Sequence, residues 1–295
     1  MNWMQLELSA HKDNIDVWSD TLTGAGAVAI TMEPANSQRV YELDPSHKPM
    51  WDEVKLLALF TADIIPQQIQ QQLEPQIDFA TANWKVIVED DWTNKWQEYA
   101  KPMQFGNKLW ICPSWCEIPD PTANNIILDP EMAFGTGSHA TTGLCLDWVA
   151  NNVVPGVTVI DYGCGSGILG IAAARLGAIR VYGVDIDPIA LEVSNKNAAQ
   201  NHVPTTVFST HLPEQQPDIK ADIVIANILA LPLLSLTTTL ADLLKPHGSI
   251  ILSGILQEQA DMVIAGYSPW FEDFNVINQD GWVRISAKLS HSTNI

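Results

Sequence analysis

The chain has 295 residues, 46% of them hydrophobic and 17% charged, a balance that excludes a disordered polymer and gives room for roughly two domains of ordinary size. Fifteen basic against 34 acidic residues leave a net charge of -19, which opposes independent nucleic-acid binding, because phosphates must be met by Lys and Arg, and suits a basic protein partner instead. No basic segment followed by an apolar one opens the chain and no apolar run reaches membrane-spanning length, so a cytoplasmic protein without membrane contact is expected.

The first ninety or so residues read as short strands and helices in alternation. Leu6 and Leu8 mark a strand; Ile15, Trp18 and Leu22 fall on one helical face. Ala27 to Met32 and Val54 to Phe60 form two further strands, Pro66 to Leu73 a short helix with Pro in its first turn, and Trp84 to Val88 a last strand. This β-α-β-β-α-β order is the ferredoxin-like pattern, an α+β unit over residues 1–93 that names no function by itself. Eight of the eleven tryptophans lie at or before Trp115, and core packing is their expected use.

Residues 94–125, interrupted by Pro102, Pro113, Pro119 and Pro121, read as an interdomain linker. The four cysteines, Cys112, Cys116, Cys145 and Cys164, form no regular framework, which points to free thiols in a reducing compartment. Cys112 and Cys116 are close in sequence, but no further Cys or His stands near at metal-binding spacing, so no metal site is expected.

From residue 126 the text changes to strand, turn, helix, repeated. Val157 to Ile160 is a strand closed by Asp161, and a glycine turn leads to a helix over Ile168 to Leu176. Val181 to Val184 is a second strand ending in Asp185, with Asp187 as N-cap and Pro188 at the first position of the next helix. Ile223 to Ala226 ends at Asn227, and Ser249 to Leu252 follows a Pro-His-Gly turn. Phe274 to Ile277 and Trp282 to Ile285 flank Asp280-Gly281, a hairpin that would set an antiparallel strand at the edge of a parallel sheet.

Glycines 163, 165 and 167 strip side chains from the turn into the helix, so a ligand can approach the backbone and the helix N-terminus. Gly165, Gly167 and Gly170 also make a literal G-x-G-x-x-G, and Asp185 lies 20 residues after Gly165, as a nicotinamide-dinucleotide site requires. Two residues favour S-adenosylmethionine instead. Asp161 precedes the loop, where a carboxylate attracts the cationic amino acid end of that cofactor and would repel a pyrophosphate. Asn227 ends the fourth strand, at the mouth where open α/β sheets bind ligands. Asp185 then accepts from the ribose hydroxyls. A noncatalytic module that only holds a protein is the other alternative, and turnover of the cofactor separates the two.

Asn227 is followed by Ile228-Leu229-Ala230, not by the Pro-Pro-aromatic run common in methyltransferases of amides and bases. The missing aromatic argues against a planar acceptor; an aliphatic amine needs no stacking. After the third strand, Phe208 to His211 brings no acid for an adenine amino group, so backbone groups are expected there.

Three stretches together carry a resemblance: residues 128–142 (Leu-Asp-Pro-Glu-Met-Ala-Phe-Gly-Thr-Gly-Ser-His-Ala-Thr-Thr), the run from Asp161 to Leu169, and Asp185-Ile186-Asp187-Pro188 with Asn227-Ile228-Leu229-Ala230. With Leu109 to Trp115 they resemble the bacterial methyltransferases of ribosomal protein L11 (PrmA type), loosely over the first ninety residues and closely beyond. The resemblance implies an α/β fold, a Rossmann-like seven-stranded methyltransferase domain at 126–295 behind the smaller ferredoxin-like, substrate-recognising one. It implies methyl transfer from S-adenosylmethionine, leaving S-adenosylhomocysteine, to lysine side chains and the N-terminal α-amine of ribosomal protein L11; a monomer is expected. Carried over by motif, Thr142, Gly163, Asp185 and Asn227 contact the cofactor, and Phe134 to Thr142 looks like the loop that closes over it; from its amide chemistry, Asn227 is the candidate for orienting the amine. No general base is assigned. His139, beside Ser138 at a helix start, is read as structural.

Overall fold

The computed structural model describes residues 2–35, 52–74, 76–88, 101–129 and 139–290. The chain divides into two compact units, Met1–Lys95 and Trp96–Ile295.

In the first unit β1 (Asn2–His11), α1 (Ile15–Gly24), β2 (Ala29–Pro34), β3 (Glu53–Thr61), α2 (Pro66–Leu73) and β4 (Asn83–Val88) follow one another in the order read from the sequence. The sheet runs β2-β3-β1-β4, with every neighbouring pair antiparallel. Alternation in β3 buries Val54, Leu56, Ala58 and Phe60 against Ile15, Trp18 and Leu22 of α1, so one apolar face of the sheet is covered by helix. Of the tryptophans expected in a core, Trp18 is buried and Trp84 half-buried against Phe60; Trp51, Trp92 and Trp96 lie outside the described residues.

The stretch expected to be a linker is largely structured. Its residues form β5 (Met103–Phe105), β6 (Leu109–Cys112) and β7 (Asn124–Ile127), a small sheet with β5 antiparallel and β7 parallel to β6. Leu109, Ile111, Cys112 and Ile126 are buried, and the prolines that suggested a break stand outside the three strands. This piece belongs to the core of the second unit.

That unit continues with α3 (Ala140–Asn152), β8 (Thr158–Tyr162), α4 (Ile168–Arg175), β9 (Arg180–Val184), α5 (Pro188–Gln200), β10 (Phe208–His211), β11 (Ala221–Asn227), α6 (Ala230–Ser235), α7 (Thr237–Asp242), β12 (Leu244–Leu256), α8 (Ala260–Tyr267), β13 (Phe271–Gln279) and β14 (Trp282–Leu289). Seven strands order as β10-β9-β8-β11-β12-β14-β13, the first five parallel and β14 antiparallel to both neighbours. Successive side chains go to opposite faces: Val159, Ile223, Ile225 and Ile251 join α3 and α4 in one core, and Ile160, Val224, Ala226, Ile250 and Leu252 join α6, α7 and α8 in the other. Burial on both faces is why these strands read as continuous apolar runs.

The hairpin places its antiparallel strand differently from expectation. β14 is inserted one position in from the edge, and β13 takes the edge itself. Composition explains the exchange: Val283, Ile285, Ala287 and Leu289 of β14 are buried, whereas Glu272, Asp273, Asn275, Asn278 and Gln279 of β13 give an edge that water solvates.

Candidate functional site

The parallel strands end at one rim, and the expected residues gather there. Asp161 is next to last in β8, Asp185 follows β9, and Asn227 closes β11. Between β8 and α4 the glycine loop takes left-handed backbone at Gly163 (φ 76°), Gly165 (φ 52°) and Gly167 (φ 78°). The loop docks on the end of β9: the Gly163 and Cys164 N–H groups donate to the Val184 carbonyl at 2.7 and 3.0 Å. From α5, Ser194 Oγ donates to the Gly165 carbonyl at 2.8 Å and Asn197 Nδ2 to that of Ser166 at 2.9 Å, so the loop's geometry is fixed from behind.

Gly163, Gly167 and Gly170 each have their own steric reason. A Cβ on Gly167 would lie 2.9 Å from Ser194 Oγ, and one on Gly170 2.6 Å from the Phe208 ring, where α4 packs on β10. At Gly163 it would lie 2.3 Å from Ile228 Cγ2. Gly163→Ala is therefore expected to cost about 1–3 kcal/mol of folding stability, from overpacking and positive φ together. Because the contact is with a side chain, the Gly163→Ala, Ile228→Ala double variant should be less destabilised than the two singles summed, by about 1 kcal/mol in urea unfolding. Strict additivity would mean that the two positions do not touch.

Asp185 is half-exposed and accepts two backbone N–H groups, from Gly165 to Oδ2 at 2.9 Å and from Asp187 to Oδ1 at 3.0 Å. Each oxygen keeps a lone pair for a further donor. Beside it Ile186 is 82% exposed, an apolar side chain held out between two acids. Sequence reasoning passed over Ile186; an isolated apolar residue at a strand end was the available signal. Asp187 caps α5 as expected, accepting from Ile189 N at 2.9 Å.

Asp161 is 1% exposed. Its Oδ2 accepts from Gly170 N at 2.9 Å, and its Oδ1 is buried with no hydrogen-bond partner. Burial, with Asp185 adding to it, raises this carboxyl to a pKa of about 7. The side chain thus lies beneath the glycine loop, with Oδ1 left as a buried acceptor that no protein group meets.

On the other side of the loop, Asn227 Nδ2 donates to Thr142 Oγ1 at 3.3 Å, joining the end of β11 to the first turn of α3. Thr142 is 2% exposed. His139 stands at the N-cap of α3, with Nδ1 accepting from Thr141 N at 3.4 Å, and meets Trp282 edge-on at 5.0 Å between ring centres. Of the Phe134 to Thr142 segment expected to close over the site, residues 134–138 lie outside the described residues. The cysteines near the loop are packing groups: burial raises the Cys164 thiol and pushes that of Cys145 up to about 12, so neither ionises to a nucleophile near neutral pH. Among the described residues no group of three or more His, Cys, Asp or Glu gathers as metal ligands would, and no helix is long and apolar enough to cross a membrane.

A seven-stranded sheet in this order, with its sixth position antiparallel and a glycine loop flanked by strand-end acids, defines the Rossmann-like methyltransferase class. Comparison narrows the class. Residues 2–290 match the family described as ribosomal protein L11 methyltransferase (PrmA), and the chain belongs to that family. Ribosomal protein L11 methyltransferases of Marinobacter nauticus and Tolumonas auensis are 44% and 43% identical over 294 and 292 residues, covering 98% and 97% of this chain and 99% of each relative. The crystal structure of a ribosomal protein L11 methylase from Lactobacillus delbrueckii subsp. bulgaricus is 30% identical, with a TM-score of 0.57 over 65% of this chain and 100% of its own.

Proposed function

We propose that this chain transfers methyl groups from S-adenosylmethionine to amines of ribosomal protein L11, its lysine side chains and N-terminal α-amine. One observation carries the reading: a single rim brings the glycine loop, the doubly anchored Asp185 and the Asn227–Thr142 pair together, in a chain that matches the family over residues 2–290. The orphaned Oδ1 of Asp161 fits a cofactor with a cationic end, and the Cβ-free cradle at Gly163 fits close approach to backbone.

S-adenosylmethionine supplies a methyl carbon made electrophilic by its sulfonium. The protein's residues bind and orient. Asp185 uses its remaining lone pairs for the two ribose hydroxyls, and the exposed Ile186 covers one face of the adenine, whose amino group meets backbone because β10 ends without an acid. Gly163 and Thr142 are read as further cofactor contacts, Thr142 through the side chain that Asn227 holds. With its Nδ2 given to Thr142, Asn227 has Oδ1 left to accept an N–H of the incoming amine and aim its lone pair at the methyl carbon. A lysine starts near pKa 10.4 and must be neutral to attack; a site closed to water lowers that value, and water takes the proton, so no residue need serve as a strong base.

The first unit is read as the substrate-recognising one, parted from the methyltransferase unit near residue 95. Acids outnumber bases in both parts of the chain, 16 to 6 over residues 1–98 and 18 to 9 over residues 99–295, which suits a basic ribosomal protein as partner of the whole enzyme. The enzyme acts as a cytoplasmic monomer in this reading, without nucleic acid or membrane.

Incubation with S-adenosylmethionine and recombinant ribosomal protein L11, read by intact mass, is expected to add mass to L11 in methyl steps. In a companion thermal melt, S-adenosylhomocysteine is expected to stabilise the protein and NAD to leave it unmoved. Cofactor binding without mass gain on L11 would discard the substrate; stabilisation by NAD alone would discard the reaction class.

A further inference from the structure

We propose that Gly254 is a positioning residue for the acceptor amine: by admitting the Ile228 backbone to van der Waals distance of β12, it fixes the turn that begins at Asn227. The proposal rests on the methyl-transfer reading and adds to it a residue far along the chain.

The geometry begins with a register. Asn227 is the last residue of β11 and pairs with Ser253 of β12. Ser253 is fully buried and its Oγ donates to the Val283 carbonyl at 2.9 Å, which ties this point of β12 to β14. Between Leu252 and Ile255 the pairing of β12 with β14 shifts register, and Gly254 stands inside that shift with φ 82°. An irregularity of this kind re-aims the backbone at the end of a strand.

What Gly254 faces is backbone. A Cβ placed there would lie 2.3 Å from the Ile228 carbonyl oxygen, 2.7 Å from its carbonyl carbon and 3.2 Å from its nitrogen. All three atoms belong to the main chain of Ile228, so no rotamer change relieves the contact. On its other side the same residue has its Cγ2 2.3 Å from where a Cβ of Gly163 would be. Two left-handed glycines, one in the cofactor loop and one in β12, therefore grip Ile228 from opposite sides, and Asn227 is the residue just before the grip.

Any L side chain at 254 must push the Ile228 backbone away, and with it the amide of Asn227 and its bond to Thr142. Asp185, by contrast, follows β9, and β8 and β11 stand between that strand and β12. The displacement thus falls on the acceptor side of the site and leaves the ribose anchor in place. This asymmetry separates positioning from general damage.

The test compares wild type with Gly254→Ala in methyl transfer to ribosomal protein L11 at saturating S-adenosylmethionine, and in calorimetric titration with S-adenosylhomocysteine. The expected result is a kcat lowered roughly 100-fold, the cost of misplacing reacting atoms by about 1 Å, with affinity for S-adenosylhomocysteine and KM for L11 each within about fivefold of wild type. Unchanged kcat, or affinity lost in parallel with kcat, overturns the proposal. If Gly254→Ala does not fold, Ile228→Ala decides: it frees the Gly163 half of the grip without adding an atom, and because Gly254 acts only through the placing of Ile228, it is expected to lower kcat roughly 10-fold with affinity retained, whereas wild-type kcat overturns the proposal. Wild-type protein that binds cofactor and methylates nothing on L11 would fail the functional reading and this inference together; wild-type transfer matched by both variants would fail this inference alone.

Discussion

Replacing Asp185 with alanine is expected to weaken S-adenosylhomocysteine binding at least roughly 100-fold and to remove detectable methyl transfer. The size follows from how much the carboxylate holds at once. Its Oδ2 anchors Gly165 in the middle of the glycine loop, and its Oδ1 anchors Asp187, which starts α5. Hydrogen bonds to an ionised group are each worth about 1.5–3 kcal/mol, and the ribose hydroxyls are proposed to add two more on the same side chain. Alanine loses the ligand bonds and also leaves the Gly165 N–H without its partner, so the loop loses definition where the ligand must approach it. Asp185→Asn should fall between: it keeps one acceptor oxygen and turns an NH2 toward one of the two backbone N–H groups. Calorimetric titration measures the affinity, and circular dichroism with a melting curve shows that the sheet is intact. A well-folded Asp185→Ala protein binding within about fivefold of wild type would remove Asp185 from the site.

The strands and helices that position this site were legible because each had a local cause. Apolar runs ended in Asp161, Asp185 and Asn227, and a capping Asp before Pro188 announced α5. What the sequence did not disclose depended on partners distant along the chain. The three strands at residues 103–127 were hidden by the prolines around them, though Leu109-Trp110-Ile111-Cys112 is a short apolar run of the kind a buried strand shows. The insertion of β14 between β12 and β13 is a matter of which strand carries the continuous apolar face of Val283, Ile285, Ala287 and Leu289, and two hairpin strands of similar length do not announce it. Asp161 was legible as an acid before a glycine loop; that it lies under the loop follows from α4 bringing the Gly170 N–H down on it. Gly254 was passed over because its constraint is the backbone of a residue 26 positions earlier.

Asp161 supplies the other large effect, and its sign distinguishes a binding device from a structural one. The folded protein holds this carboxyl at a pKa of about 7 against the 3.8 of a free aspartate, through burial first and the nearby charge of Asp185. Below about pH 4 both folded and unfolded chains carry the proton and the group contributes nothing to the pH dependence. As pH rises from 4 the unfolded chain releases its proton while the folded chain keeps it, so the native state binds more protons and stability falls with pH until about 7, after which it is flat. At 1.36 kcal/mol per unit, the accumulated loss is on the order of 4 kcal/mol. Asp161→Asn cannot ionise, so its unfolding free energy relative to wild type is expected to climb across this window, most of the gain being reached by pH 7. Urea unfolding of both proteins without cofactor, at several values from pH 5 to 8, measures the difference, and other titrating groups cancel in it. Binding should run the other way. A cationic ligand end favours the ionised carboxylate, so wild-type affinity for S-adenosylhomocysteine rises between pH 5.5 and 7.5 and protons are released on binding, while Asp161→Asn binds more weakly and with a flatter profile. A stability difference that grows with pH and affinities that part in the opposite direction identify Asp161 as a charge kept unsatisfied in the free protein for the ligand to meet; a stability difference with parallel affinity profiles would make it an ordinary buried acid that helps seat the loop.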